Sequence, residues 1–224
     1  MSELGRLEGK AALVTGASSG LGRATAIVLA LSSADVALVA RSAEELESAK
    51  EEVAKTDRRA LSLPTDLAKE EETSATIERT VEEFCRLDVV VNAAGTDTPG
   101  TVEDLSVEGW DRTLNVNLKA PFLLSKAAFP HMRDAGGGTI INISSVAGKK
   151  GWTNASAYCA AKFGLMGFTQ ALADEGKEYG IRAIVLYPGA MSTNWGAFSP
   201  EVCQEGGSEK VPSSRVLPRS ALQN

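Results

Sequence analysis

The sequence predicts an α/β fold: a doubly wound parallel sheet with helices on both faces. Three observations lead there. Short apolar runs alternate with longer amphipathic ones along the 224 residues. The apolar runs are nearly continuous, as strands buried on both faces require. A glycine-rich turn follows the first of them, where a βαβ unit holds anions. Repeated βα units with short connections and right-handed crossovers build such a sheet.

Taken in order, AALVT (11–15) reads as the first strand and GLGRATAIVLAL (20–31) as the first helix. DVALVA (35–40) is the second strand. The helix AEELESAKEEVAK (43–55) carries acids early and lysines late, as the helix dipole favours. ALSLP (60–64) is the third strand, KEEETSATIERTVEEFC (69–85) the next helix, and DVVVN (88–92) the fourth strand. VEGWDRTLNVNLKAPFLLSKAAF (107–129) reads as one long helix that Pro121 should bend. GTIINIS (138–144) is the fifth strand, ASAYCAAKFGLMGFTQALADEGKEY (155–179) a second long helix, and IRAIVLY (181–187) the sixth strand. The expected strand order is 3-2-1-4-5-6, with ligands at the carboxyl ends near the switch point between strands 1 and 4. One local irregularity stands before strand 2, where LALSSADV has serines in place of a helix-ending glycine.

Composition excludes several classes. With 43% hydrophobic and 23% charged residues, the chain is an ordinary globular one. A net charge of −6 argues against nucleic acid as a partner, because phosphate binding needs a basic surface. No apolar run approaches the ~18 residues of a membrane span. The start, MSELGRLEGK, lacks a secretion signal. Cys85, Cys159 and Cys203 are far apart and form no metal-binding spacing, so they are expected to be reduced thiols in a cytoplasmic protein, with no metal site. The single histidine, His131, reads as a surface or helix-end residue.

The turn TGASSGLG contains Gly16, Gly20 and Gly22. Gly16 and Gly20 leave room for backbone N–H groups to approach a pyrophosphate, and Gly22 lets helix and sheet pack closely. Ser18, Ser19 and Leu21 belong to the same cradle. A tight turn with no ligand is the alternative, but the place between the first strand and first helix is that of a dinucleotide site. Strand 2 ends at Ala40 without a carboxylate to grip a ribose hydroxyl, and Arg41 follows. That pattern favours NADP(H) over NAD(H), unless Arg41 is simply solvated. Asp66, with Leu67 beside it, could bond the adenine amino group or cap the next helix. Residues 1–195 thus read as one dinucleotide-binding domain. Residues 196–224, with three prolines and a Gly-Gly, read as an irregular tail.

TGASSGLG (15–22), NAAG (92–95), Ser145, YCAAK (158–162) and PGAMST (188–193) occur in this order. Together they resemble the short-chain dehydrogenase/reductase family, and within it the 3-oxoacyl-acyl-carrier-protein reductases. The resemblance implies a Rossmann-type fold and an oxidoreductase acting on a small-molecule carbonyl or secondary alcohol. It implies Tyr158 as general acid/base and Lys162 as its partner, which also holds the nicotinamide ribose. Ser145, thirteen positions before the tyrosine, would orient the substrate, and Asn117 would support a proton relay. Asn92, Ala93 and Gly95 resemble the segment that steadies the sheet and borders the cofactor. Pro188, Gly189 and Thr193 resemble the one lining the nicotinamide. Tyr158 and Lys162 are four apart, hence on one helical face, and a neighbouring ammonium is expected to lower the phenol from its usual ~10. Residues 96–102 and the loop 146–156 should shape the substrate pocket, with Lys149 and Lys150 either solvated or meeting an acidic group. Relatives commonly form homo-oligomers through the two long helices. The family's later helices and seventh strand have no counterpart after Trp195. An exposed sixth strand is therefore expected, and a shortened, non-catalytic relative is the alternative reading.

Overall fold

In the computed structural model, which describes residues 7–189, six strands form one sheet. They are β1 (Ala11–Thr15), β2 (Asp35–Ala40), β3 (Ala60–Pro64), β4 (Val89–Asn92), β5 (Gly138–Ile143) and β6 (Ile181–Leu186). The order is β3-β2-β1-β4-β5-β6, as expected, and every pairing is parallel. Successive strand side chains point to opposite faces, and here each face has its own core. Leu13, Ala37, Val39, Val90 and Ile140 go to one, Val14, Val36, Leu38 and Val91 to the other. Two cores per strand are the reason the sequence shows continuous apolar runs instead of alternation.

Helices α1 (Gly20–Leu31) and α2 (Ala43–Ala54) close one face through Ala26, Ala30, Leu46, Ala49 and Val53. α3 (Glu70–Phe84) and α5 (Ala120–Asp134) close the other through Ile77, Phe84, Leu124, Ala128 and Met132. Two further helices, α4 (Val107–Leu114) and α6 (Ser156–Gly176), pack on each other, and α6 lies against β6 and adds Leu172 to the core under α3 and α5.

The expected helix over 107–129 is three pieces. α4 runs into a π-helical stretch, Asn115–Lys119, and then into α5. Pro121 lies in the first turn of α5, directly after the π-helical stretch, where a missing N–H is tolerated. α5 also continues past Pro130 to Asp134, because Met132 is fully buried in the core and offsets the proline. The serine pair after α1 is accommodated at a cost. Ser33 takes the left-handed conformation, φ +77°, that glycine would favour. Its N–H bonds Ala30 O at 2.9 Å and that of Ala34 bonds Leu29 O at 3.0 Å, closing the helix. A side chain there costs about 1 kcal/mol. β6 is the edge of the sheet among the described residues, with Ile184 and Leu186 exposed.

Before β4, Asp88 ties the sheet to its N-terminal edge. It accepts from Lys10 Nζ (3.0 Å), the Ala11 amide (2.9 Å) and Arg86 (2.6 Å). Burial alone would raise this carboxyl, but the Arg86, Ala11 and Lys10 hydrogen bonds outweigh it and hold it at about 2, against 3.8 ordinarily. A depressed carboxyl stabilises the fold above its unfolded value, and that stability is lost as pH falls from about 4 through 2. The contribution at neutral pH is about 2 kcal/mol. Urea midpoints at pH 6 and pH 3 should therefore differ less in Asp88→Asn than in the wild type. An equal acid loss in both would exclude Asp88 as its source.

Candidate active site

A cleft of about 640 Å³ opens at the carboxyl ends of the central strands, walled on one side by the turn Gly16–Gly22. Gly16 has φ +67°, and a Cβ on it would lie 2.9 Å from Ala94 Cα. A Cβ on Gly22 would lie 2.3 Å from the Gly16 carbonyl oxygen. These glycines allow the turn to lie against both β4 and α1. Ser18, Ser19, Gly20 and Leu21 also line the cleft. The N-cap of α1, Ser19, makes no side-chain cap bond, and the first turn has no acidic residue. By contrast α2 begins with Glu44 and Glu45, and α3 with Glu70, Glu71 and Glu72. The positive end of α1 is thus left open to an anion on this wall of the cleft, and these residues fit a pyrophosphate.

Thr15, which the sequence reading did not single out, joins this turn to the next. Its Oγ1 accepts from the Ala93 and Ala94 amides, each at 3.0 Å. Ala93 and Gly95 line the cleft as expected. Asn92 is not brought to it. Its Nδ2 donates to Asn142 Oδ1 at 2.7 Å, and Asn142 in turn donates to Thr169 Oγ1 at 2.9 Å. It fastens β4 to β5, because its pleat position faces the helix layer.

At the end of β2, Arg41 is exposed, lines the cleft, and has no hydrogen bond or ion pair among the described residues. Glu45 is on the same wall, one turn into α2, and went unrecognised in the sequence. Its backbone N–H donates to the Ser42 hydroxyl at 3.3 Å. Asp66 also lines the cleft. It does not cap α3, whose N-cap is Lys69; it accepts from the Ala68 amide at 3.2 Å and pairs with Arg112 at 3.6 Å. Leu67 is buried beside it, and Val116 and Arg112 from the facing helix complete this end.

At the other end, β5 delivers Ser144 and Ser145, and the first turns of α6 deliver Tyr158 and Lys162. Ser144 is turned away, donating to Lys162 O at 3.2 Å. Ser145 caps the short 3-10 turn 146–148, accepting from the Ala147 amide at 3.2 Å, and hydrogen-bonds the Tyr158 phenol. Tyr158 is 9% exposed and Lys162 4%. Lys162 Nζ donates to Ile143 O at 2.8 Å and lies 5.5 Å from the centre of the Tyr158 ring. Burial lowers the ammonium to about 8. The phenol behaves differently from the expectation. Burial pushes it above its usual 10, the Ser145 hydrogen bond lowers it, and the charge of Asp97 raises it further. Lys162 does not offset this, because burial lowers its ammonium to about 8, so it is already neutral where the phenol titrates.

Asn117 is buried, and both ends of its side chain are hydrogen-bonded. Nδ2 donates to Thr96 O (2.7 Å) and Thr113 O (2.8 Å), and Oδ1 accepts from the Thr96 amide (3.4 Å). Its main-chain carbonyl is another matter. Pro121 has no N–H, so the donor an α-helix would supply four residues on is missing. The two expected substrate segments meet: the Gly100 amide donates to Asn154 O at 3.0 Å. Lys149 stacks over the Tyr187 ring at 4.1 Å. Pro188 and Gly189 line the cleft, whereas Thr193, the tail 196–224 and Cys203 lie outside the described residues. His131 is remote from the cleft, 3.2 Å from Glu78. Cys85 and Cys159 are unpaired with each other. No helix among the described residues is long and apolar enough to cross a membrane.

Residues 10–201 match the family described as short chain dehydrogenase. A 3-oxoacyl-acyl-carrier-protein reductase from Thermotoga maritima is 32% identical over 210 residues, covering 94% of this chain and 85% of that protein. A metagenomic short-chain oxidoreductase, solved in complex with NADP, is 38% identical with a TM-score of 0.79, covering 83% of this chain and 84% of that one. Carveol dehydrogenase from Mycobacterium avium, solved in complex with NAD, is 31% identical with a TM-score of 0.79, covering 82% and 72%.

Proposed function

The chain belongs to the short-chain dehydrogenase family, and from that premise we propose that it is an NADP(H)-dependent enzyme in which Tyr158 moves the proton. As a family member it is an oxidoreductase acting between an alcohol and a carbonyl with a nicotinamide cofactor. The observation that carries the finer reading is the convergence of Ser145, Tyr158 and Lys162 in the cleft that begins at the glycine turn.

When bound, the nicotinamide supplies or accepts the hydride. The chain's own residues handle the rest. Gly16, Ser18, Ser19, Gly20, Leu21 and Gly22 would hold the pyrophosphate, and Asp66 and Leu67 the adenine end. Ala93, Gly95, Pro188 and Gly189 would border the remainder; Thr193, of the same motif, lies outside the described residues. In the reducing direction Tyr158 gives its hydroxyl proton to the substrate oxygen. Ser145 donates a hydrogen bond to that oxygen as charge develops on it. Lys162 holds the nicotinamide ribose and keeps a positive charge behind the phenol below about pH 8. Asn117 would support the proton relay from its place between the segment that follows β4 and the π-helical stretch, its side chain held by Thr96 and Thr113.

The preference for NADP(H) rests on Arg41, which is free to meet a 2′-phosphate, and on Ala40, which offers no competing carboxylate. Glu45 acts in the opposite sense. Thermal melts with NADP⁺ or NAD⁺ at matched concentrations weigh the two. A ligand at 100 times its Kd adds about 2.7 kcal/mol. The larger shift is expected with NADP⁺, and Arg41→Ala should shrink it while sparing the NAD⁺ shift. A larger shift with NAD⁺ would reverse the preference and point to Glu45. No shift from either would remove the enzymatic reading. A ketone panel with NADPH then follows, starting from 3-oxoacyl compounds and carvone-like ketones.

A further inference from the structure

Arg23 stands in the first turn of α1, directly after the glycine turn. Its guanidinium reaches in two directions. Nη1 donates to the Ser18 carbonyl at 3.4 Å, back in the turn. Nε donates to Glu52 Oε2 at 3.3 Å and Nη2 to the Ser48 hydroxyl at 2.8 Å, both on α2. Nη2 also lies 3.1 Å from Glu52 Oε1. A planar fork of donors spans these partners at once, which the single nitrogen of a lysine does not. Glu45, Ser48 and Glu52 follow one another at spacings of three and four, so they share one face of α2. The face that brings Glu45 to the cleft wall is thus the face that grips Arg23.

The glycine turn has few other anchors at this point. The Ala17 amide donates to Val39 O at 3.2 Å, whereas the Ser18 and Ser19 amides have no partner among the described residues. In a trans peptide unit the C=O and the N–H point in opposite directions. Holding the Ser18 carbonyl toward Arg23 therefore holds the Ser19 N–H away from it. Ser18 and Ser19 line the cleft, while Arg23, Ser48 and Glu52 do not.

We propose that Arg23 is a positioning residue for the nucleotide, fixing the Ser18–Ser19 peptide so that the Ser19 N–H is presented to the pyrophosphate. The inference rests on the reading of the glycine turn as the pyrophosphate site. Arg23 does not meet the nucleotide; it acts through the turn, with α2 as its anchor. A preset N–H costs no reordering on binding, and a mobile one does. The pyrophosphate is common to NADP⁺ and NAD⁺, so Arg23 serves both alike, whereas Arg41 is expected to serve only the 2′-phosphate.

Calorimetric titration of the full chain tests this without any substrate. In Arg23→Ala the Kd values for NADP⁺ and NAD⁺ should both rise about tenfold, the scale of one hydrogen bond to a charged group. Binding of adenosine 2′-phosphate, which has no pyrophosphate, should be unchanged. Arg23→Lys keeps the charge without the fork and is expected to weaken both dinucleotides as well; it stands in for the alanine variant if that one does not melt cooperatively. Full affinity in the lysine variant would show that charge alone matters and would overturn the proposal. So would unchanged dinucleotide affinity in both variants, a loss confined to NADP⁺, or an equal loss for adenosine 2′-phosphate, since the last two place the effect on the α2 wall. A wild-type chain that binds neither dinucleotide would instead overturn the reading beneath it.

Discussion

Tyr158→Phe is expected to lower kcat by roughly 10³-fold, the scale of general acid–base catalysis, while leaving the cofactor-induced melting shift intact. The substitution removes one hydroxyl from a ring that is 9% exposed, so packing is kept and no cavity forms. What is lost is the hydroxyl that is hydrogen-bonded to Ser145. Steady-state rates with the ketone found by the panel, measured beside melts with and without NADP⁺, check both halves. Retained turnover would remove Tyr158 from the mechanism. Loss of turnover together with the melting shift would show that the hydroxyl serves binding instead.

The second large effect is on binding. Gly22→Ala is expected to abolish the nucleotide-induced shift and to destabilise the protein by about 1–3 kcal/mol. The new methyl would stand 2.3 Å from Gly16 O, 2.6 Å from Gly16 C and 2.9 Å from Thr15 O. All three are backbone atoms, so no rotamer change relieves the contact. α1 must move away from the turn, and its N–H groups move with it. Gly151→Ala is the control, since nothing lies within 4 Å of a Cβ there. If Gly22→Ala melts like the control and still responds to nucleotide, close helix–strand packing is not what this glycine provides.

Much of the site was legible because it is built from short-range rules. The open N-terminus of α1 is visible as a first turn without acids, beside α2 and α3 that begin with them. Tyr158 and Lys162 share a helical face by spacing alone. Other features were not legible. Thr15 looked like the last residue of a strand, yet its hydroxyl gathers two amides from the end of β4, 78 and 79 residues away. Glu45 looked like a dipole-matching acid of α2, and only the approach of that helix to β2 puts it on the wall of the cleft. Asn92 was read as part of a segment that steadies the sheet and borders the cofactor; its side chain bonds Asn142 on the neighbouring strand, a partner 50 residues away that no local pattern shows.

The sequence by itself determined the sheet order, the two-sided burial of the strands, the glycine turn and the Tyr158–Lys162 face. Each depends on residue period, chain connection or backbone freedom, all local properties. Tertiary structure alone decided the electrical state of the site. Whether Lys162 reaches the phenol or a carbonyl, and which groups the Asn117 side chain bonds, depend on which distant residues pack against them. Burial then sets how strongly each charge is felt, and burial is a property of the assembled fold.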